Sequence, residues 1–366
     1  MKLIVEPTDG VAPIMAAIKN AKKSIDIAIF RFDRKDLETA LVDAVKNGIR
    51  VTALIAFVNR GGEASLRKLE LRFLAAGIIV ARTSGDLSRY HDKFIVIDRR
   101  VLCVLSTNFS HLDIDHSRGF GVVTTHAGWV REARRLFRAD CSRAKYASKS
   151  ETFVVSPGNA RKSLAAFLRR ARKELLIYDL KISDKEMLGL LQARQTAGVS
   201  IRIIGTVGGS FKFDVQKLGG MRLHTRTIIR DGRQAFIGSQ SLRAPELDSR
   251  RELGVIIRDA KAVKKLIETF ESDWDPKRST KAKEEKKEQK KEETVAKDKE
   301  SEKAVKELTK EMAPIVSTMK KAVKRAVAKA GEEALEEKGV KEEMKEVVKQ
   351  AVKDAVTEAV HESRKP

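Results

Sequence analysis

Two histidines, each followed by the same pattern of polar residues, mark where this chain could do chemistry. His91-Asp92-Lys93 is followed by Asp98 and by Ser106-Thr107-Asn108, and His224-Thr225-Arg226 by Asp231 and by Gly238-Ser239-Gln240-Ser241. His and Asp stand seven positions apart in both copies, His and Ser fifteen. A lone H-x-K means little among 74 lysines and arginines, whereas a multi-residue pattern repeated at identical offsets is informative. Imidazole is largely unprotonated at neutral pH and is a competent nucleophile. Lys93, Arg226, Ser106, Asn108, Ser239 and Ser241 offer donors for the non-bridging oxygens of a phosphodiester as charge builds on them. A second imidazole can protonate the leaving oxygen and then activate water. Two half-motifs therefore suffice for one phosphoryl-transfer site across a pseudo-twofold axis. That scheme needs no metal and no cofactor, and the sequence has no Cys/His cluster at zinc spacing.

The paired motifs resemble the signature of the phospholipase D superfamily, H-x-K-x4-D followed by G-S-x-N, in tandem over residues 1–275. The resemblance implies a phosphohistidine intermediate, with His91 attacking phosphorus and His224 serving as acid and then base. It also implies that a carboxylate beyond each G-S-x-N segment orients the histidine of the other half. Glu252 occupies that place in the second half and faces His91, whereas Gly119 occupies it in the first, which leaves His224 without such a partner. Asp98 and Asp231 read as braces for the motif turn. The pattern is imperfect: Leu105 stands for the family glycine, Arg226 for lysine and Ser241 for asparagine. Arginine keeps the charge but changes its geometry. Ser241 is a shorter donor, and its contact with phosphate is expected through water. His111, His116, His126 and His361 have no paired counterpart and receive no role, although His116 lies near the first site in sequence, where a supporting role is the alternative.

The segments that must carry these residues are duplicated too. A helix over Pro13–Ile18 leads into the buried strand segment Ala21–Phe30, as Leu164–Leu168 leads into Ala171–Tyr178. Amphipathic helices Leu37–Val45 and Met187–Ala197 stop at Gly48 and Gly198, and an apolar strand follows each. Strands are expected at Phe94–Ile97 and Thr227–Ile229, and long helices at Trp129–Tyr146 and Ala260–Trp274. Such alternation predicts α/β layers with buried sheets. The fold class is thus α/β: two duplicated sandwiches around a shared site, with a charged helical C-terminal tail. The domains are 1–150, 151–275, a charged linker 276–302 and an amphipathic helical tail 303–366. The segment Phe57–Ala76 is an insert peculiar to the first half.

Net charge is +23, and residues 276–366 hold 25 basic and 20 acidic residues, so the excess lies in the first 275 residues. A basic catalytic part suits an anionic substrate or surface. Cys103 and Cys141 read as free thiols, and no stretch is long and apolar enough to span a membrane, which predicts a cytoplasmic protein, peripheral to a membrane if bound to one. The tail repeats Ala and Val at helical spacing. Three readings stand for it: a hairpin that oligomerises the chain, a basic helix on a membrane or nucleic acid, or a disordered segment. Phospholipid is the leading substrate, fitting the resemblance and the amphipathic tail. Nucleic acid fits the charge, although few aromatic residues are available for stacking. A scaffold that binds polyanions without turning them over is the third reading.

Overall fold

The His-to-Ser spacing is that of a strand going out and a strand coming back. In the computed structural model, which describes residues 1–57 and 63–275, the hairpin leaves the first histidine along Phe94–Ile97 and returns along Val101–Leu105. Asp98 and Arg99 sit at its tip with φ of 52° and 58°, and the Arg100 N–H closes the turn on the Ile97 carbonyl. Positive φ at both central residues matches the right-handed twist of a tight hairpin. Asp231 and Gly232 form the same tip in the second repeat, at 54° and 64°. Each strand pair brings the serine back beside its histidine and carries the aspartate to the far end, about 20 Å away at the usual rise per residue.

In chain order the first repeat is β1 (Lys2–Glu6), α1 (Ala12–Lys19), β2 (Ser24–Ile29), α2 (Lys35–Lys46), β3 (Arg50–Ile55), α3 (Glu63–Ala75), β4 (Ile79–Arg82), β5 (Arg89–Tyr90), β6 (Phe94–Ile97), β7 (Val101–Leu105), α4 (His111–His116), β8 (Ser117–Thr124) and α5 (Ala127–Cys141). The second is β9 (Phe153–Ser156), α6 (Ala160–Arg169), β10 (Glu174–Ile182), α7 (Lys185–Thr196), β11 (Ser200–Val207), β12 (Asp214–Gln216), β13 (Arg222–Leu223), β14 (Arg226–Arg230), β15 (Gln234–Gly238), α8 (Ala244–Asp248), β16 (Arg250–Ile257) and α9 (Ala260–Trp274). The helix expected over Trp129–Tyr146 stops earlier, at Cys141, where Ser142 caps it and Arg143 turns to φ 58°. The insert supplies α3. Residues 58–62, the linker 276–302 and the tail 303–366 lie outside the described residues.

Among the described residues two eight-stranded mixed sheets result, in the orders β1-β8-β7-β6-β2-β3-β4, with β13 also beside β8, and β12-β11-β10-β14-β15-β16-β5, with β9 also beside β16. Parallel pairs such as β2–β3 and β10–β11 need a crossover, which α2 and α7 provide. Gly48 and Gly198 end these crossovers at φ 77° and 86°, a conformation open to glycine. One apolar core joins the faces of both sheets with α5 and α9, and includes Phe94, Phe120, Trp129, Tyr178, Val263 and Phe270. Separate cores lie under α1–α3 and under α6–α7.

The two repeats trade strands. β5, just ahead of His91, pairs with β16 of the second repeat, and β13, just ahead of His224, pairs with β8 of the first. Each histidine N–H then donates to a carbonyl of the opposite repeat: His91 to Arg251 at 2.7 Å, His224 to Arg118 at 3.0 Å.

Candidate active site

This exchange brings both histidines to one buried locus, His91 at 7% and His224 at 5% exposure, against the ends of β16 and β8. The alternation of side chains along a strand puts Lys93 on the face of His91 and Arg226 on that of His224. Lys93 is fully buried and donates to the His91 carbonyl; Arg226 donates through Nη1 to the His224 carbonyl at 3.4 Å and through Nε to Ser241 Oγ at 3.2 Å. Ser241 thus meets the guanidinium directly.

His91 Nδ1 meets the Glu252 carboxylate at 2.8 and 3.1 Å, and the Phe30 ring packs edge-on at 4.6 Å. One nitrogen and one face of the imidazole are thereby fixed, which selects the tautomer that leaves Nε2 to react. Burial, then Lys93, Arg226, Arg89 and Arg250, hold the His91 ring well below the ordinary imidazole range, so it is neutral at physiological pH. Burial raises Glu252 to about 7 against the pull of Lys93 and Arg226, and lowers Lys93 to about 7. His224 is lowered by burial and by Arg226.

Asp113 lies 3.8 Å from His224 Nε2, so that ring has a carboxylate nearby that the Gly119 reading did not anticipate. Asp113 accepts from Asn108 Nδ2 at 2.5 Å, from the Asn108 N–H at 3.2 Å and from Arg222. The Asn108 amide is therefore turned toward this carboxylate. Ser106 Oγ accepts from the Phe120 N–H at 2.9 Å, and Ser239 Oγ from the Leu253 N–H at 3.2 Å. Both serines clip the hairpin to the next strand; the Ser106 hydroxyl proton is its remaining donor, whereas the Ser239 hydroxyl donates to the Leu253 carbonyl at 3.4 Å.

The structure keeps Asp98 and Asp231 out of this cluster. Asp98 accepts from the N–H groups of Lys22, Lys23 and Ser24, and Asp231 from those of Arg172, Lys173 and Glu174. Each ties the loop before a central strand to the hairpin tip, and these donors hold both carboxylates below their usual range despite some burial. His116 is exposed, and His126 caps α5 by accepting from the Trp129 N–H at 3.2 Å.

Sequence reasoning passed over a second layer. Arg118 donates to Asp273 at 2.7 and 2.8 Å and to the Glu6 carbonyl at 2.7 Å. Arg251 donates to Asp140 at 3.1 and 2.9 Å and to the Ser156 carbonyl at 3.3 Å. These are the arginines whose own carbonyls hold the histidine N–H groups. Asp92, buried beside Arg251, is raised to about 6. A repeat comparison could have paired Arg118 with Arg251 and Asp140 with Asp273, because each pair falls at the offset that relates His91 to His224.

A family model described as "Cardiolipin synthase, PLD-like domain" matches residues 14–141 and 207–274, more than half of the chain. The chain belongs to the phospholipase D superfamily. Polyphosphate kinases of Vibrio vulnificus strains YJ016 and CMCP6 are 27% identical, over 67% of this chain and 39% of theirs. The chain thus spans about two fifths of these curated relatives. Among solved structures, polyphosphate kinase from Porphyromonas gingivalis superposes with a TM-score of 0.63 at 18% identity, over 74% of this chain and 46% of that one. Phosphatidylserine synthase from Haemophilus influenzae Rd KW20 gives 0.56 at 12% identity, over 74% and 85%. At these identities the two structures establish the shared fold. No helix among the described residues is long and apolar enough to cross a membrane.

Two expected results follow for this site. With His91 as nucleophile, Glu252→Gln should slow formation of a covalent intermediate more than its breakdown, because a carboxylate on Nδ1 would stabilise charge developing on the ring during attack. Single-turnover kinetics check this, and equal slowing of both steps would refute it. Lys93, lowered to about 7, loses its charge as pH rises through that value, so kcat/KM should fall on the alkaline side. Lys93→Arg should push that limb upward in a pH–rate profile; an unmoved limb would assign it elsewhere.

Proposed function

We propose that this chain cleaves or transfers phosphoryl groups of a polyanionic phosphate chain through a phosphohistidine on His91. The carrying observation is the His91–Glu252 contact at 2.8 Å, made by two residues from opposite repeats beside Lys93 and Arg226. His91 Nε2 attacks phosphorus, the P–O bond to the leaving group breaks, and His224 gives that oxygen a proton. Water or a second acceptor then attacks the phosphohistidine, its proton passes to His224, and the P–N electron pair returns to Nε2. An anionic phosphate between Lys93 and Arg226 offsets cations that depress His224 and so favours the protonated acid when substrate is bound.

The sequence ranked phospholipid first. Arg89 and Arg222, each two residues ahead of a histidine, and Arg250, two ahead of Glu252, shift our reading to a substrate with several phosphates. All three act electrostatically on the histidines. Of the exposed large apolar residues among those described, Leu71 and Leu74 lie on α3 and Ile79 on β4, while Leu112 lies on α4 next to Asp113. Nucleic acid and inorganic polyphosphate share the chemistry invoked.

The test incubates the full chain with plasmid DNA, single-stranded RNA, polyphosphate with and without ADP, and phosphatidylglycerol vesicles, each with excess EDTA. Cleavage or shortening of a phosphate chain is expected, and it should survive chelation because Lys93 and Arg226 supply the positive charge. Headgroup release from vesicles alone would overturn the substrate reading. A strict requirement for a divalent ion would overturn the charge argument, and silence in every arm would leave the scaffold.

A further inference from the structure

We propose that Glu6 is the positioning residue of His224, supplied by β1 in place of the acid that β8 lacks at Gly119. The inference rests on the reading that His224 acts with His91.

Strand registers carry the argument. In the second repeat Glu252 on β16 lies opposite Ser156 on β9, and Glu252 grips His91. In the first repeat Gly119 on β8 lies opposite Glu6 on β1. Acid and small residue have changed places across one pair of antiparallel strands. A Cβ built on Gly119 would collide with Glu6 Oε2 and with Thr107 Cγ2, so the Glu6 carboxylate occupies the space from which a side chain at 119 would start. That space is the counterpart of the one from which Glu252 reaches His91. Gly119 is therefore the condition for Glu6 to enter.

The polar groups left over agree. Glu6 is fully buried, and neither carboxylate oxygen completes a hydrogen bond, although the Thr107 hydroxyl stands beside it. His224 Nδ1 is also buried and unpartnered. That nitrogen corresponds to the one Glu252 holds on His91. Buried polar atoms without partners are rare and call for a reason. Asp113 does not serve Nδ1: it lies 3.8 Å from Nε2 and is engaged by Asn108 and Arg222. The other charged groups acting on His224 are Arg226, Lys93 and Arg222, all cations.

Burial raises Glu6 to about 8, so at neutral pH it carries a proton while His224 is neutral. The pair then holds two protons, one on His224 Nε2 and one on the Glu6 carboxyl. As Nε2 gives a proton to the leaving oxygen, Nδ1 draws one from Glu6; water later returns a proton by the same route. Glu6 touches no reacting atom in this scheme and acts through the ring.

The test is nitrogen-15 NMR of histidine-labelled full-length protein, with His224 assigned by its loss in His224→Asn. Glu6→Gln keeps the shape and removes only the ionisable acid. It should abolish the step at about pH 8 at which loss of the Glu6 proton moves the His224 nitrogen signals, and leave His91 in place. Glu252→Gln should do the reverse. An unchanged His224 titration, or a change at His91 instead, overturns the proposal. If Glu6→Gln does not fold, Glu6→Asp shortens the reach and should give a smaller change in the same sense; no change would also overturn it. With bis(p-nitrophenyl) phosphate, whose leaving group needs no acid, Glu6→Gln should keep the burst of nitrophenol while steady turnover falls about tenfold or more. Absence of any phosphohistidine in the unaltered protein would defeat the proposed function, while the titration would still decide Glu6.

Discussion

His91→Ala and His224→Ala should each reduce turnover on the order of a thousandfold or more, and the double variant should be little worse than the poorer single one. Groups acting in series on one covalent intermediate are not additive. The structure supplies the reason for a shared effect: each ring is set against the other repeat, His91 on the Arg251 carbonyl and His224 on the Arg118 carbonyl. The variants should nevertheless fail differently. On the proposed mechanism His91→Ala removes the attacking nitrogen, so no phosphoryl adduct should form with any leaving group. His224→Ala still permits attack when the leaving group is good, and the adduct then accumulates for want of a base. Rapid quenching into alkali, which preserves phosphohistidine, distinguishes the two. Retention of most activity in either variant would exclude the two-histidine mechanism.

Asp273→Ala should lower stability by about 3–5 kcal/mol, the usual consequence of stripping one partner from a buried ion pair. Asp273 accepts from Arg118 Nε and Nη2 and from the Tyr178 hydroxyl at 2.7 Å, with both charged side chains under a tenth exposed. Its loss leaves a guanidinium uncompensated in the core between the sheets. For a body of this size the melting temperature should drop on the order of 10 °C. Asp43→Ala, which removes an exposed partner of Lys46, should cost about 0.5 kcal/mol or less. Activity should fall with Asp273→Ala as well, because Arg118 anchors the His224 backbone. A melting temperature equal to that of Asp43→Ala would show that the pair contributes nothing.

The histidines, Lys93 and Arg226 were legible because their spacing is local: one hairpin generates it, and the repeat doubles the signal. The α/β alternation was legible for the same reason, since strands such as Ser24–Ile29 and helices such as Lys35–Lys46 carry their periodicity within themselves. What escaped depends on pairings distant in sequence. Arg118–Asp273 and Arg251–Asp140 join abundant residue types across more than a hundred positions, and no local pattern announces them. Asp113 sits on a six-residue helix that points its carboxylate back at Asn108, a local fold with no periodic trace. Glu6 looked like the end of an ordinary strand, and its burial against Gly119 emerges only from the register of β1 on β8. Ser106 and Ser239 had the right types for phosphate donors, and the strand that follows each of them claims their oxygens first.

The exchange of β5 and β13 makes the chain, in effect, a dimer whose subunits have been tied together. Either repeat made alone would lose the strand its partner lends and expose a bare run of N–H and C=O groups. It would also carry a histidine whose backbone had nowhere to dock. Its natural remedy would be a second copy of itself, since each lends what the other needs. The covalent link replaces that encounter with an effective concentration in the millimolar range, independent of how much protein is present. It also frees the two copies from identity. An acid can migrate from one strand to its neighbour in one repeat alone, and a lysine can become an arginine in the other. A symmetric pair of separate chains has to make every such change twice.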